Sequence, residues 1–197
     1  MAVGAALAFA AANVRAQETT QADKDKALAY LESTKKGVRD ATKGLSEPQW
    51  NFKPAPDKWS VAECVEHIAA AEDFIRGMAV DKVMKAPAAP DRDIAKIDAG
   101  IMAMIPDRSQ KAQAPDELKP TNRFGSPEGS LGHFAESRTA TENFLKDTPD
   151  LRAHAVDSPL GGPKLDTYEW VLFVSAHSQR HTKQIEEVKA DPNFPKK

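Results

Sequence analysis

Apolar residues recur at steps of three and four along four long segments of the chain, each closed by proline- or glycine-rich punctuation. That period belongs to helices burying one face. The first segment covers residues 21–45, with Ala27, Tyr30, Leu31, Thr34, Val38 and Ala41 on one side. SEPQWNFKPAPDKW then breaks the pattern with three prolines. The second segment opens on a clear start signal. Ser60 and Glu63 have the S-x-x-E spacing of a capping box, and Trp59 and Cys64 flank it as a hydrophobic staple. Beyond the cap, Val61, Val65, Ile68 and Ile75 line one seam, while Cys64, His67, Ala71, Phe74 and Met78 line the next. Two adjacent seams make a wide buried face, as a bundle interior requires.

Residues 86–125 form a long connection carrying Pro87, Pro90, Pro106, Pro115 and Pro120. Within it Ile94, Ile97, Ile101 and Met104 keep helical spacing, which predicts a short packed helix. The third long segment starts at Ser126-Pro127-Glu128, a cap followed by proline and an acid in the first turn. It runs through Leu131, Phe134, Arg138, Thr141 and Leu145 to about residue 147. After a loop with Gly161-Gly162-Pro163, the fourth begins at Asp166, where Glu169 completes a second capping box and Leu165 and Trp170 the staple. It ends near Ala190, before Pro192. These elements predict an all-α fold, a four-helix bundle. Short links favour antiparallel neighbours, whereas the long link between the second and third long helices permits a parallel crossover. The expected order is therefore up-down-down-up, with the short extra helix in the crossover.

Composition changes this picture little. At 41% hydrophobic and 28% charged, 197 residues suit one globular domain with a real core. A net charge of −2, with basic residues interleaved among acids, gives no footprint for nucleic acid. The single cysteine, Cys64, excludes an internal disulfide framework. The N-terminus adds one feature. Small apolar residues from Ala2 to Ala12 precede Val14-Arg15-Ala16, which fits signal-peptidase cleavage after Ala16, although a basic stretch before the apolar run is missing. Residues 1–16 are accordingly read as a signal peptide, against an alanine-rich helical extension, and 17–197 as a single domain, exported to the periplasm or secreted and otherwise cytoplasmic. The run is too short for a membrane anchor.

The candidate chemistry lies in the last helix. Trp170, Val174, His177, His181, Gln184 and Val188 follow one another at steps of four, three, four, three and four, so two imidazoles occupy a core seam. Residues four apart project from one helical face about 5–6 Å apart at Cβ, close enough to chelate one ion. His67, on the buried seam of the second helix, is the candidate third ligand. It lies seven residues past its cap, about 10 Å along the axis. His181 lies about 12–13 Å from the end of the fourth helix. If those helices run antiparallel, the three rings meet at one level. Three neutral histidines without a fourth protein ligand describe an open metal site, where water completes the coordination and becomes acidic. The spacing is not HExxH, because Ser178 stands where a metalloprotease needs its glutamate. Cys64 is read as core, and His133 and His154 as a helix flank and a loop.

The stretch WNFKPAPDKWSVAECVEHIAAAEDFI, the segment APDELKPTNRF, the arginine-bearing third helix and WVLFVSAHSQRHTKQI resemble, in that order, the motifs of the DinB-like superfamily. The resemblance implies an up-down-down-up four-helix bundle binding a divalent metal, zinc or nickel among others, through one histidine of the second helix and the HxxxH pair of the fourth. Those positions are His67, His177 and His181. It also implies a metal-dependent hydrolase, or a transferase or isomerase using bacillithiol, mycothiol or glutathione. An exported protein would not meet abundant cytosolic thiols, which disfavours the thiol chemistry.

Three readings follow. In the first, the protein is an enzyme acting on a small electrophilic substrate, with Glu72, Glu63 and Arg180 as candidate catalytic groups. Against those roles, Glu63 caps its helix, Glu66 is solvated, Glu72 pairs with Arg138 or Arg180, and Arg180 lies on the surface. In the second, a non-catalytic metal-binding or scaffold bundle uses the ion to pin two helices. In the third, the histidines are satisfied core residues. A small molecule and, at most, a second copy in a homodimer are the expected partners.

Overall fold

A computed structural model of the protein describes residues 18–158 and 161–196. The expected signal peptide therefore lies outside the described residues. Four long helices form the bundle: α1 (Gln21–Thr42), α3 (Val61–Asp81), α5 (Pro127–Asp147) and α6 (Thr167–Lys189). Two short helices, α2 (Glu47–Asn51) and α4 (Ile94–Met104), sit in the connections. The four segments and the crossover helix stand where the hydrophobic pattern places them. The proline-rich break is not wholly irregular, however. Pro48 falls in the first turn of α2, where its missing N–H costs nothing, and Gln49 accepts a hydrogen bond from the Ser46 amide. An all-α pattern also gave no sign of the two-residue strands β1 (Ala155–Val156) and β2 (Leu165–Asp166), which pair antiparallel before α6.

The predicted starts of α3 and α6 are both observed. Ser60 accepts from the Glu63 amide while Glu63 accepts from the Ser60 amide, and Asp166 and Glu169 reciprocate in the same way. Each such cap contributes about 1 kcal/mol and fixes the phase of the helix, and with it the direction of every later side chain.

Hydrogen bonds between helices give their directions. Tyr168 of α6 bonds the Asp23 carbonyl of α1, Tyr30 bonds Gln179, and Lys189 bonds the Ala41 carbonyl, so α1 and α6 run parallel. Lys24 reaches the carbonyls of Lys146 and Thr148, while Arg138 reaches Leu31 and Thr34, so α1 and α5 are antiparallel. The start of α3 meets the segment entering α5, through Glu66 and residues 121–123, and its middle meets Ser137 and Arg138, so those two are parallel. This is the up-down-down-up order. The link between α1 and α3, although the shorter one, does not make them side-by-side neighbours. Both pack on α5 and α6 from opposite corners, because residues 43–60, with α2, cross the end of the bundle.

Two apolar clusters fill the interior. One gathers Leu31, Ile75, Leu145, Trp170 and Leu172; the other gathers Val38, Trp50, Cys64, Val65, Ile68, Phe134 and Ile185. Each fully buried aliphatic or aromatic side chain contributes roughly 1.5–3 kcal/mol. Between the helices lies a buried polar layer. Arg138 donates to both carboxylate oxygens of Glu72, at 2.8 and 2.9 Å, and to Leu31 O, Thr34 Oγ1 and Ser178 Oγ.

Candidate metal centre

The antiparallel packing of α3 against α6 brings together the three histidines that the seam arithmetic put at one level. Their candidate ligand nitrogens all lie within 4.8 Å of one another. His67 Nε2 and His177 Nε2 are 3.1 Å apart. The rings of His67 and His181 have centroids 4.4 Å apart, and those of His177 and His181 4.5 Å. His67 and His181 are buried, at 2% and 8% exposure, whereas His177 is half-buried. Of the three, His177 is the least buried.

Hydrogen bonds aim two of the rings. His67 Nδ1–H donates to the Leu118 carbonyl at 2.8 Å, which leaves the Nε2 lone pair facing inward. His181 Nδ1–H donates to Gln184 Oε1 at 2.8 Å, with the same result. Burial then pushes all three imidazoles toward the neutral form, and each of His177 and His181 is pushed further by its neighbouring histidine. Neutral rings with inward lone pairs are what a metal ion needs. The 3.1 Å between His67 Nε2 and His177 Nε2 is close to the roughly 3.3 Å that separates nitrogens about 2.0–2.1 Å from a tetrahedral zinc ion. Without an ion, His177 Nε2–H can donate to His67 Nε2.

The other singled-out residues are placed as follows. Glu72, a candidate acid or base, is fully buried and held by Arg138 and Thr141, so its oxygens are committed to the polar layer. Glu63 caps α3 and pairs with Lys53. Arg180 donates to the carbonyls of Ile105, Asp107 and Gln110, which fastens the crossover onto α6. None of the three belongs to the histidine cluster. Cys64 is buried core, and its thiol is held protonated by that burial. His133 pairs with Asp73 at 2.6 Å and stacks on Phe124, and His154 bridges to Ala88; both are remote in role from the cluster.

The solvated reading of Glu66 is corrected. This side chain is buried and accepts the amides of Thr121, Asn122 and Arg123 as well as the Arg123 guanidinium. Burial opposes its charge, but the three amides outweigh it and hold the carboxyl below its ordinary range. Asn122 takes a positive φ of 61° in this turn, a conformation asparagine tolerates. The turn anchors the segment whose Leu118 carbonyl orients His67, so Glu66 serves the site at one remove. The periodicity of α3 carried no sign of this, because the partner is backbone some fifty residues away.

Trp59 packs over two of the rings, 4.8 Å from His67 and 6.0 Å from His181 between centroids, and Phe173 stacks on His177 at 6.4 Å. One side of the cluster is thus roofed by tryptophan, and Phe173 lies against the third ring.

A four-helix bundle with a histidine triad between α3 and α6 defines a class of protein, and comparison with known proteins names it. The model of the DinB superfamily matches residues 30–185, and the chain belongs to that superfamily. It is 30% identical over 152 residues to YuaE of Bacillus subtilis (strain 168), covering 75% of this chain and 87% of YuaE. Among solved structures it is similar to YfiT from Bacillus subtilis, described as a probable metal-dependent hydrolase with an unusual four-helix bundle topology. The TM-score is 0.55 at 16% identity, over 90% of this chain and 91% of YfiT, a likeness of fold.

Proposed function

We propose that His67, His177 and His181 hold one divalent ion, zinc or nickel, in an open site that serves a metal-dependent hydrolase or transferase acting on a small electrophilic substrate. The observation that carries this reading is the convergence of three imidazole nitrogens within 4.8 Å, two of them aimed inward by hydrogen bonds on the opposite ring nitrogen. When bound, such an ion supplies Lewis-acid chemistry and makes a water acidic enough to react near neutral pH. The chain's own groups bind and orient. Leu118 and Gln184 fix two rings, and Trp59 and Phe173 cover ring faces; substrate would enter beside His177, the least buried of the three. The description of YfiT supports the hydrolase reading by analogy. The tryptophan roof favours a second reading, in which the ion only pins α3 to α6.

Metal analysis and titration test the proposal. About one ion per chain is expected, held at pH about 7.5 and released at about 5, since the ligands must be neutral. Equal affinity at both values excludes histidine ligation. Turnover of ester, amide or thiol-transfer substrates by the loaded protein then separates the enzyme from the pinned bundle. Export is proposed on the leader alone; mass spectrometry of protein from its host should find a mature terminus at Gln17 or beside it, and an intact Met1 in soluble cytosol refutes it.

A further inference from the structure

Building on the metal reading, we infer that Arg108, a residue of the crossover, selects the tautomer in which His181 offers Nε2 to the ion, acting through the side chain of Gln184. The geometry is a relay. Glu187 grips Arg108 through Nε and Nη2 at 2.6 and 2.7 Å. Arg108 Nη1 then donates to Gln184 Oε1 at 3.3 Å, and the same oxygen accepts from His181 Nδ1 at 2.8 Å.

The direction of the relay follows from donor chemistry. A guanidinium has no acceptor, so it can only present N–H to Gln184. Gln184 must therefore turn its oxygen, not its NH2, toward Arg108. That oxygen has two lone pairs, and the second faces His181. A ring nitrogen facing an oxygen must carry the proton, so Nδ1 is N–H and Nε2 keeps the lone pair. Without Arg108 the amide is free to flip. Its NH2 would then donate to Nδ1 and move the ring proton to Nε2, the nitrogen a metal needs bare. An amide alone is an ambiguous second partner for a ligand histidine, and Arg108 removes the ambiguity. Arg108 and Gln184 are thus positioning residues.

The consequence reaches beyond one ring. His67 is set by Leu118 O and His181 by Arg108, and both setters belong to the segment between α4 and α5. The connection that makes the topology unusual also fixes the protonation pattern of two of the three ligands.

Nitrogen-15 spectra of the imidazoles in metal-free protein, together with zinc titration, test the relay in wild type, Arg108→Ala, Gln184→Leu, Gln184→Glu and the double variant Arg108→Ala/Gln184→Glu. Wild type should show His181 with Nε2 unprotonated. Arg108→Ala should populate the other tautomer and weaken zinc binding, and Gln184→Leu should weaken it about 10–100-fold, the usual cost of losing the group behind a ligand histidine. The decisive arm is the double variant. A carboxylate has no donor to present wrongly, so Arg108→Ala should lose little in the Gln184→Glu background. Unchanged tautomer and zinc affinity in Arg108→Ala overturn the relay and leave the metal reading standing. A loss of equal size in both backgrounds overturns it too, since Arg108 would then act by charge or by holding the crossover. Failure of wild type to bind zinc overturns both inferences.

Discussion

Two of the buried polar layers meet along one stretch of α6, one at Ser178 and the other at His177 and His181. In the layer around Arg138, donors and acceptors match. The guanidinium meets two carboxylate oxygens, a carbonyl and two hydroxyls, and Thr141 adds a further bond to Glu72. In the histidine layer the candidate nitrogens converge within 4.8 Å, and the hydrogen bond between rings joins His67 and His177. Both layers are buried, so burial alone does not tell a site from a strut. The difference lies in arrangement. The Arg138 network commits its polar atoms to fixed partners, whereas the three rings turn nitrogens toward one point.

The largest expected effect falls on the closed layer. Arg138→Leu strands the Glu72 carboxylate in the core and should cost about 3–5 kcal/mol in urea unfolding. Replacing both partners by Leu should recover much of that loss. Zinc affinity of the folded fraction should be unchanged; a large drop would mean that the two layers act as one unit.

The open layer should respond oppositely to an ion. Zinc at about 100 times its Kd should stabilise the native state by about 2.7 kcal/mol, raising the melting temperature over chelated protein. Chelated protein should nevertheless stay folded, since its core and caps do not involve the ion. Unfolding on chelation alone would make the metal structural. His177→Leu/His181→Leu should abolish zinc binding while leaving metal-free stability equal or higher, because an unsatisfied buried polar group costs roughly 1–3 kcal/mol. A clear loss of stability in chelator would show that the rings are satisfied core residues after all.

The two layers differ as much in how far the sequence announced them. The triad was legible because all three histidines sit on periodic seams, and their level could be counted from the cap of α3 and from the end of α6. Glu72 and Arg138 were also on seams, but pairing between helices depends on which corner each helix occupies, and the separation of α1 from α3 was not visible in link lengths. Least legible were the groups that orient the histidine rings. Leu118 acts through its carbonyl, which no residue type records, and Glu66 acts on three backbone amides. Gln184 stood in the seam beside the histidines, yet its meaning depends on Arg108, which lies in an irregular segment. Periodicity reports faces of helices and is silent about backbone partners in loops.

The smallest expected effect compares the histidine layer with a third cluster, at the start of α6. There Glu169, buried beside Asp166 and Arg92, is pushed up to about 7 from an ordinary 4.5, first by burial and then by the Asp166 charge; Asp166 shifts the same way. The signs oppose. The histidines have folded-state values below 6.5, so the stability tied to their neutral form is present above that pH and is lost as pH falls. Glu169 binds its proton more tightly folded than unfolded, so its contribution is present below about 4.5 and is lost as pH rises toward about 7. Between pH about 5 and 6.5 the two trends oppose each other in metal-free wild type. Removing either side should expose the other. His177→Leu/His181→Leu should become more stable as pH is lowered through that window, and Glu169→Gln, which keeps an acceptor for the Asp166 amide, should become less stable. Urea titrations of the three proteins in chelator at several pH values check this, and parallel slopes in both variants would show that the proton equilibria lie elsewhere.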